Sequence, residues 1–222
     1  DDALPDIRVQ AVWAIDRFRA GDAAPAVESL LADPAVKARL EAVRTLVRLK
    51  SSESSGALAA RLNDPSEDVR VNALWALERF NDPAAYPDIC ESLMDPSRRV
   101  REYAAAVVGR LRDARFHPIL RAIAADRERP LSERVRALEV LSRVGSADSG
   151  PDLRAAMRDP APSVRRAALD AHFALDRLEP AYLEALAFIE NRDPDARTRS
   201  AAAARLADIA GTLARRMADP DR

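Results

Sequence analysis

Apolar residues recur along this chain at offsets of 3, 4, 7 and 10 from a series of arginines, which places them on one face of a helix. The anchors are Arg8, Arg39, Arg70, Arg101, Arg134, Arg165 and Arg199, spaced 31, 31, 31, 33, 31 and 34 residues apart. A fixed period of this size marks a stacked-repeat architecture. Three residues after each anchor stands an alanine: Ala11, Ala42, Ala73, Ala104, Ala137, Ala168 and Ala202. Seven after it stand Ile15, Leu46, Leu77, Val108, Leu141, His172 and Leu206. The small side chain lets a neighbouring helix approach, and the larger ones fill the space between helices. In this pattern His172 takes a core position.

Six residues before each anchor sits an acid: Asp2, Asp33, Asp64, Asp95, Glu128, Asp159 and Asp193. Five of these are followed by proline, at Pro34, Pro65, Pro96, Pro160 and Pro194. Asp as N-cap and Pro at the first helical position predict a helix start at each pair. The inner helices so predicted include 5–19, 33–50, 64–80, 95–112, 131–144 and 159–178. A second, outer helix opens near Pro25, Pro87, Pro118 and Pro151. Two antiparallel helices per period cannot bury their apolar stripes alone, so stacked units share one core. The expected fold is an all-α, right-handed α-solenoid of about seven two-helix repeats, a single domain over 1–222. The two-residue slip at 126–130 predicts a local change of curvature, not a domain boundary.

This pattern of acid, arginine, alanine and leucine resembles the HEAT repeat, in the short bacterial form shared with phycobilin lyase subunits. The resemblance covers nearly the whole chain. It implies that each acid and the arginine six residues later belong to a ladder between adjacent repeats: Asp33 and Arg39, Asp64 and Arg70, Asp95 and Arg101, Asp159 and Arg165. It also implies that the arginine-bearing helices line the concave face. A fold of this kind does not by itself fix a function.

Composition narrows the functions. The formal net charge of -1 gives no global drive toward nucleic acid or membranes. All basic residues except Lys37 and Lys50 are arginine, the better residue for bidentate contacts to carboxylate or phosphate. The single cysteine, Cys90, lies on an apolar stripe and reads as a buried, inert thiol. Two histidines and one cysteine, far apart in repeat position, offer no metal spacing, and six glycines offer no phosphate loop. No catalytic constellation, metal or cofactor is expected, and no membrane segment is present in the chain shown. The chain starts at Asp1 and ends on a further Asp-Pro pair, which reads as a fragment or processed form of a longer protein. The compartment leans to the cytoplasm, with a signal or anchor possible in a missing N-terminal segment.

Two lines of residues could carry binding. Trp13, Arg44, Trp75, Ala106, Glu139 and Asp170 stand five after the anchors. Both tryptophans occupy this line, either as anchors for a partner or as packing across the groove between inner helices. Arg17, Arg48, Arg79, Arg110 and Arg143 stand nine after the anchors. Such a row suits an acidic peptide or a phosphate backbone, but cations near helix C-termini also answer the dipole and the terminal carbonyls. Arg99, Tyr103 and Arg136 extend the region, interrupted by Glu67, Asp68, Glu102 and Glu139. Tyr86 and His117 share one repeat position at outer-helix starts, where packing between turns competes with a shallow binding ladder. The leading expectation is a non-enzymatic scaffold or adaptor that holds an acidic or helical protein segment. The alternatives are nucleic-acid binding along the arginines and a bilin-lyase-like enzyme subunit.

Overall fold

The structure, a computed structural model, describes residues 10, 24–144, 150–175 and 178–218. The described residues are all-α, with twelve α-helices and no strand among them. The first predicted inner helix, 5–19, lies outside them, and Trp13 and Arg17 with it. The chain divides into two compact units, residues 1–116 and 117–222.

Unit 1 alternates short outer helices with fourteen-residue inner ones. The outer helices are α1 (Ala24–Ser29), α3 (Ser55–Ala60) and α5 (Tyr86–Glu91), each running on into a 3-10 turn. The inner helices are α2 (Val36–Leu49), α4 (Glu67–Phe80) and α6 (Arg98–Leu111). They stack in chain order, α2 on α4 and α4 on α6. The alanine line Ala42, Ala73 and Ala104 is fully buried at these crossings, with Leu46, Leu77 and Val108 beside it. Cys90 is buried in α5, and burial pushes its thiol up to about 12.

Unit 2 continues the alternation. It holds α7 (Phe116–Ala125, whose first residue belongs to unit 1), α8 (Leu131–Val144), α9 (Gly150–Ala156), α10 (Pro162–Leu175), α11 (Pro180–Arg192) and α12 (Ala196–Ala218). Ala137, Ala168 and Ala202 are again fully buried. His172 occupies the core position of its repeat. It stacks on Tyr182 with ring centroids 4.2 Å apart, and its Nε2 lies 2.8 Å from Glu179 Oε2. An aromatic ring plus a carboxylate thus replaces the aliphatic side chain of the other repeats.

The helix starts differ from the sequence expectation. Asp33, Asp64 and Asp95 are not the N-caps, and the prolines after them are not the first helical residues. The N-caps are Ala35, Ser66 and Ser97, in extended conformation and without side-chain capping bonds. Each aspartate instead accepts the N–H of the residue two places on: Ala35 at 2.8 Å, Ser66 at 2.9 Å and Ser97 at 2.7 Å. The Asp-Pro pair therefore forms an Asx turn ahead of the helix. In unit 2, Asp159 and Asp193 do the same toward Ala161 and Asp195.

The reason, at Asp64, Asp95, Asp159 and Asp193, is the demand placed on the pair by two arginines. Arg39 donates bidentately to Asp64 at 2.7 and 2.8 Å, and its third nitrogen donates to the Asp33 and Pro34 carbonyls. Arg70 repeats this with Asp95 and the Asp64 and Pro65 carbonyls. In unit 2, Arg165 repeats it with Asp193 and the Asp159 and Pro160 carbonyls. A carboxylate held by the preceding repeat and a carbonyl held by its own repeat leave the Asp-Pro pair no helical geometry. Arg101 makes the carbonyl half of this arrangement, to Asp95 and Pro96. Arg134 departs from it, bonding Asp159 through its terminal nitrogens and the Ala124 carbonyl through Nε.

Helix ends in unit 1 share one device. Lys50, Asn81 and Arg112, each eleven after its anchor, adopt the left-handed conformation with φ of 57, 51 and 48°. This is the usual helix-ending geometry, here without glycine.

Candidate functional site

The inner helices of unit 1 bring together residues that are far apart in sequence. One depression of about 440 Å³ is lined by Arg44, Arg48, Val71, Asn72, Trp75 and Tyr103. A second, of about 480 Å³, is lined by Trp75, Glu78, Arg79, Tyr103, Arg110 and Leu111. Trp75 of α4 and Tyr103 of α6 line both, so the two form a continuous patch across α2, α4 and α6. The helices place these side chains because offsets of five, nine and two from the anchor point away from the buried alanine line.

The arginines of the patch have partners from their own chain. Arg48 donates to Glu41 and to Thr45, both at 2.8 Å, and Arg44 lies 3.8 Å from Glu41. Arg110 of α6 forms a bidentate pair with Glu78 of α4, one repeat earlier. Arg110 also lies 5.4 Å over the Tyr103 ring, and Arg79 lies 5.2 Å over Trp75. The aromatic faces are therefore partly covered by guanidinium groups, held by attraction of the cation to the electron-rich face of the ring. Burial, with Glu78 adding to it, pushes the Tyr103 phenol up. Tyr103 thus keeps its O–H as a donor at neutral pH. Against Arg44, Arg48, Arg79 and Arg110 stand Glu41 and Glu78, so the patch is mixed in charge with an excess of cation.

The remaining expected binding residues lie elsewhere. Arg99 is exposed at the start of α6, pairs with Asp68 and does not line the patch. Arg136 is half-buried on α8 in unit 2. Tyr86 is buried, stacked on Phe116 at 4.0 Å, and its hydroxyl donates to Asn81 and Asp113. In unit 2, His117 is buried with Nε2 against the Val144 carbonyl. Both are therefore packing residues. Glu78 also lines the patch, although its offset of eight lies on neither of the two expected lines. Its signal is separation by one period: Glu78 and Arg110 are 32 residues apart, as Asp68 and Arg99 are 31 apart. No group of three or more metal-ligating side chains is gathered among the described residues. No helix among them is long and apolar enough to cross a membrane.

Residues 55–134 match the family model for HEAT repeats. Among solved structures, the chain is similar to the complex of CpcE and CpcF of phycocyanin lyase from Nostoc sp. PCC7120, with 26% identity over 79% of this chain and 73% of that one and a TM-score of 0.43. It is similar to an archaeal HEAT-like repeats protein from Thermococcus onnurineus NA1, with 14% identity over 91% and 94% of the two chains and a TM-score of 0.47. It is also similar to human deoxyhypusine hydroxylase, with 21% identity over 93% and 80% and a TM-score of 0.44. No curated protein sequence matches the chain.

Proposed function

We propose that this chain, whose residues 55–134 match HEAT repeats, is a protein-binding scaffold whose unit 1 holds a partner segment on the patch across α2, α4 and α6. The observation that carries this reading is the pairing of Trp75 and Tyr103 in two adjoining depressions, each ring flanked by an arginine. Tryptophan, tyrosine and arginine are the residue types that dominate the energy of protein interfaces. A carboxylate of the partner would meet Arg44 or Arg79. Its apolar side chains would lie on the indole and phenol rings.

The same geometry weighs against a phosphate backbone as the ligand. A nucleic acid would have to displace Glu41 and Glu78, which already neutralise Arg48 and Arg110. The test is capture of partners from source lysate with and without nuclease. The expected result is a stoichiometric protein that survives nuclease and is retained as salt is raised. Material that vanishes with nuclease, or affinity that falls steeply with salt, would overturn the reading in favour of nucleic acid.

A further inference from the structure

Unit 2 carries a second surface, on its outer helices. A groove of about 920 Å³ runs between α9 and α11. Its cause is visible in the spacing. Arg39 and Asp64, Arg70 and Asp95, and Arg134 and Asp159 are each separated by 25 residues, but Arg165 and Asp193 by 28. The three additional residues fall in a repeat whose outer helix, α11, runs to thirteen residues, against seven in α9. A long helix beside a short one leaves a furrow that neither fills.

The furrow is apolar at its base and cationic at one end. Met157 and Ile189 are buried at the base, with Ala155, Ala181 and Ala185 along the walls. Phe188 also lines it and is 60% exposed, against the preference of large rings for burial. Arg192, one turn on, places its guanidinium 5.7 Å over that ring. Arg158 follows the last turn of α9, as Arg192 ends α11. Neither makes an ion pair with a described residue. The other charges on the lining are accounted for: Arg154 with Glu179, Asp159 with Arg134, and Arg165 with Asp193. Glu184, one turn before Phe188, is outnumbered by Arg158 and Arg192, so the unpaired charge is positive.

We infer that this groove docks a peptide segment of a partner protein bearing a large apolar side chain and, about one turn away, carboxylates. The apolar side chain lies between Phe188 and the Met157–Ile189 base. The carboxylates meet Arg158 and Arg192, where charge-assisted bonds form without displacing an internal pair. Arginine and aromatic residues set around an apolar base form the usual composition of an interface core. This site is independent of the Trp75–Tyr103 patch.

The test is selection from a random twelve-residue peptide library against the whole chain, followed by affinity measurement of the enriched peptides. The expected peptides carry an aromatic or aliphatic anchor and a net negative charge. Their affinity should fall at least tenfold on Phe188→Ala and on Arg192→Glu, and stay unchanged on Trp75→Ala. Phe188 and Arg192 are exposed, so both variants should keep the parent melting temperature. Enriched peptides without carboxylates, affinity indifferent to Phe188 and Arg192, or failure to enrich any peptide would overturn the inference.

Discussion

Replacing Asp159 with alanine should destabilise unit 2 by about 3–5 kcal/mol, the usual effect of leaving one member of a buried ion pair alone. The Arg134 and Asp159 side chains are only 4% and 5% exposed. Without the carboxylate, the terminal nitrogens of Arg134 lose their acceptor, while the Nε bond to the Ala124 carbonyl remains. Ala161 also loses the acceptor of its N–H. Urea unfolding read by circular dichroism measures the loss. The pair Arg134→Met and Asp159→Leu should recover most of it, because two apolar groups leave no charge unpaired. Removing Glu102, whose pair with Arg98 is open to solvent, should change stability little.

Acid should weaken the same contact. Burial pushes the Asp159 carboxyl up, but the Arg134 guanidinium and the Ala161 N–H together outweigh it and hold it below the ordinary value. A carboxyl lowered by folding stabilises the protein fully above its unfolded pKa of about 3.9. That contribution is lost as pH falls from there through the lowered folded value. The stability gap between the parent chain and Asp159→Ala should therefore be constant near neutrality and close in acid.

The second large effect concerns binding. Trp75→Ala should weaken the complex with the unit 1 partner by about 2 kcal/mol, roughly thirtyfold, the size associated with an interface anchor. Tyr103→Ala should follow the same direction. Trp75 is half-buried and touches solvent, so its removal should lower stability by less than Asp159→Ala does. Titration calorimetry and thermal melting on the same samples separate the two effects. A loss of stability as large as that of Asp159→Ala, with affinity retained, would make Trp75 a packing residue.

The fold was legible because it rests on small side chains at a fixed period. Ala42, Ala73, Ala104, Ala137, Ala168 and Ala202 could be placed at helix crossings from spacing alone, and all are fully buried. The helix starts were less so. Asp and Pro carry strong local capping preferences, but at Asp64 the local preference loses to an arginine 25 residues earlier, which no local rule contains. The left-handed ends at Lys50 and Arg112 were hidden for a similar reason, since neither residue favours that conformation on its own. His172 stands in an aliphatic position because Tyr182 and Glu179, on the following helix and its approach, complete its surroundings.

The patch was legible in its members more than in its electrostatics. Trp75 and Arg44 share one offset, and Arg48, Arg79 and Arg110 share another. Read as a line, these arginines look available to a phosphate backbone. In three dimensions Glu41 and Glu78 stand against two of them, and aromatic rings lie beneath Arg79 and Arg110. The pair Glu78 and Arg110 is separated by one period, so a helical wheel of either repeat alone never shows it, whereas Glu41 and Arg48 lie two turns apart on one helix. The groove between α9 and α11 was invisible for the opposite reason, as it arises where the period lengthens.

The most direct measurement is site-specific photo-crosslinking in the source cells. A benzophenone amino acid is placed at Asn72, which lines the unit 1 patch, and in a separate variant at Asp88, exposed on the outer helix α5. The expected result is a discrete protein adduct from position 72, reduced when Trp75 is also replaced by alanine, and none of that mass from position 88. Equal crosslinking from both positions, or adducts from position 88 alone, would contradict a partner held on the inner helices.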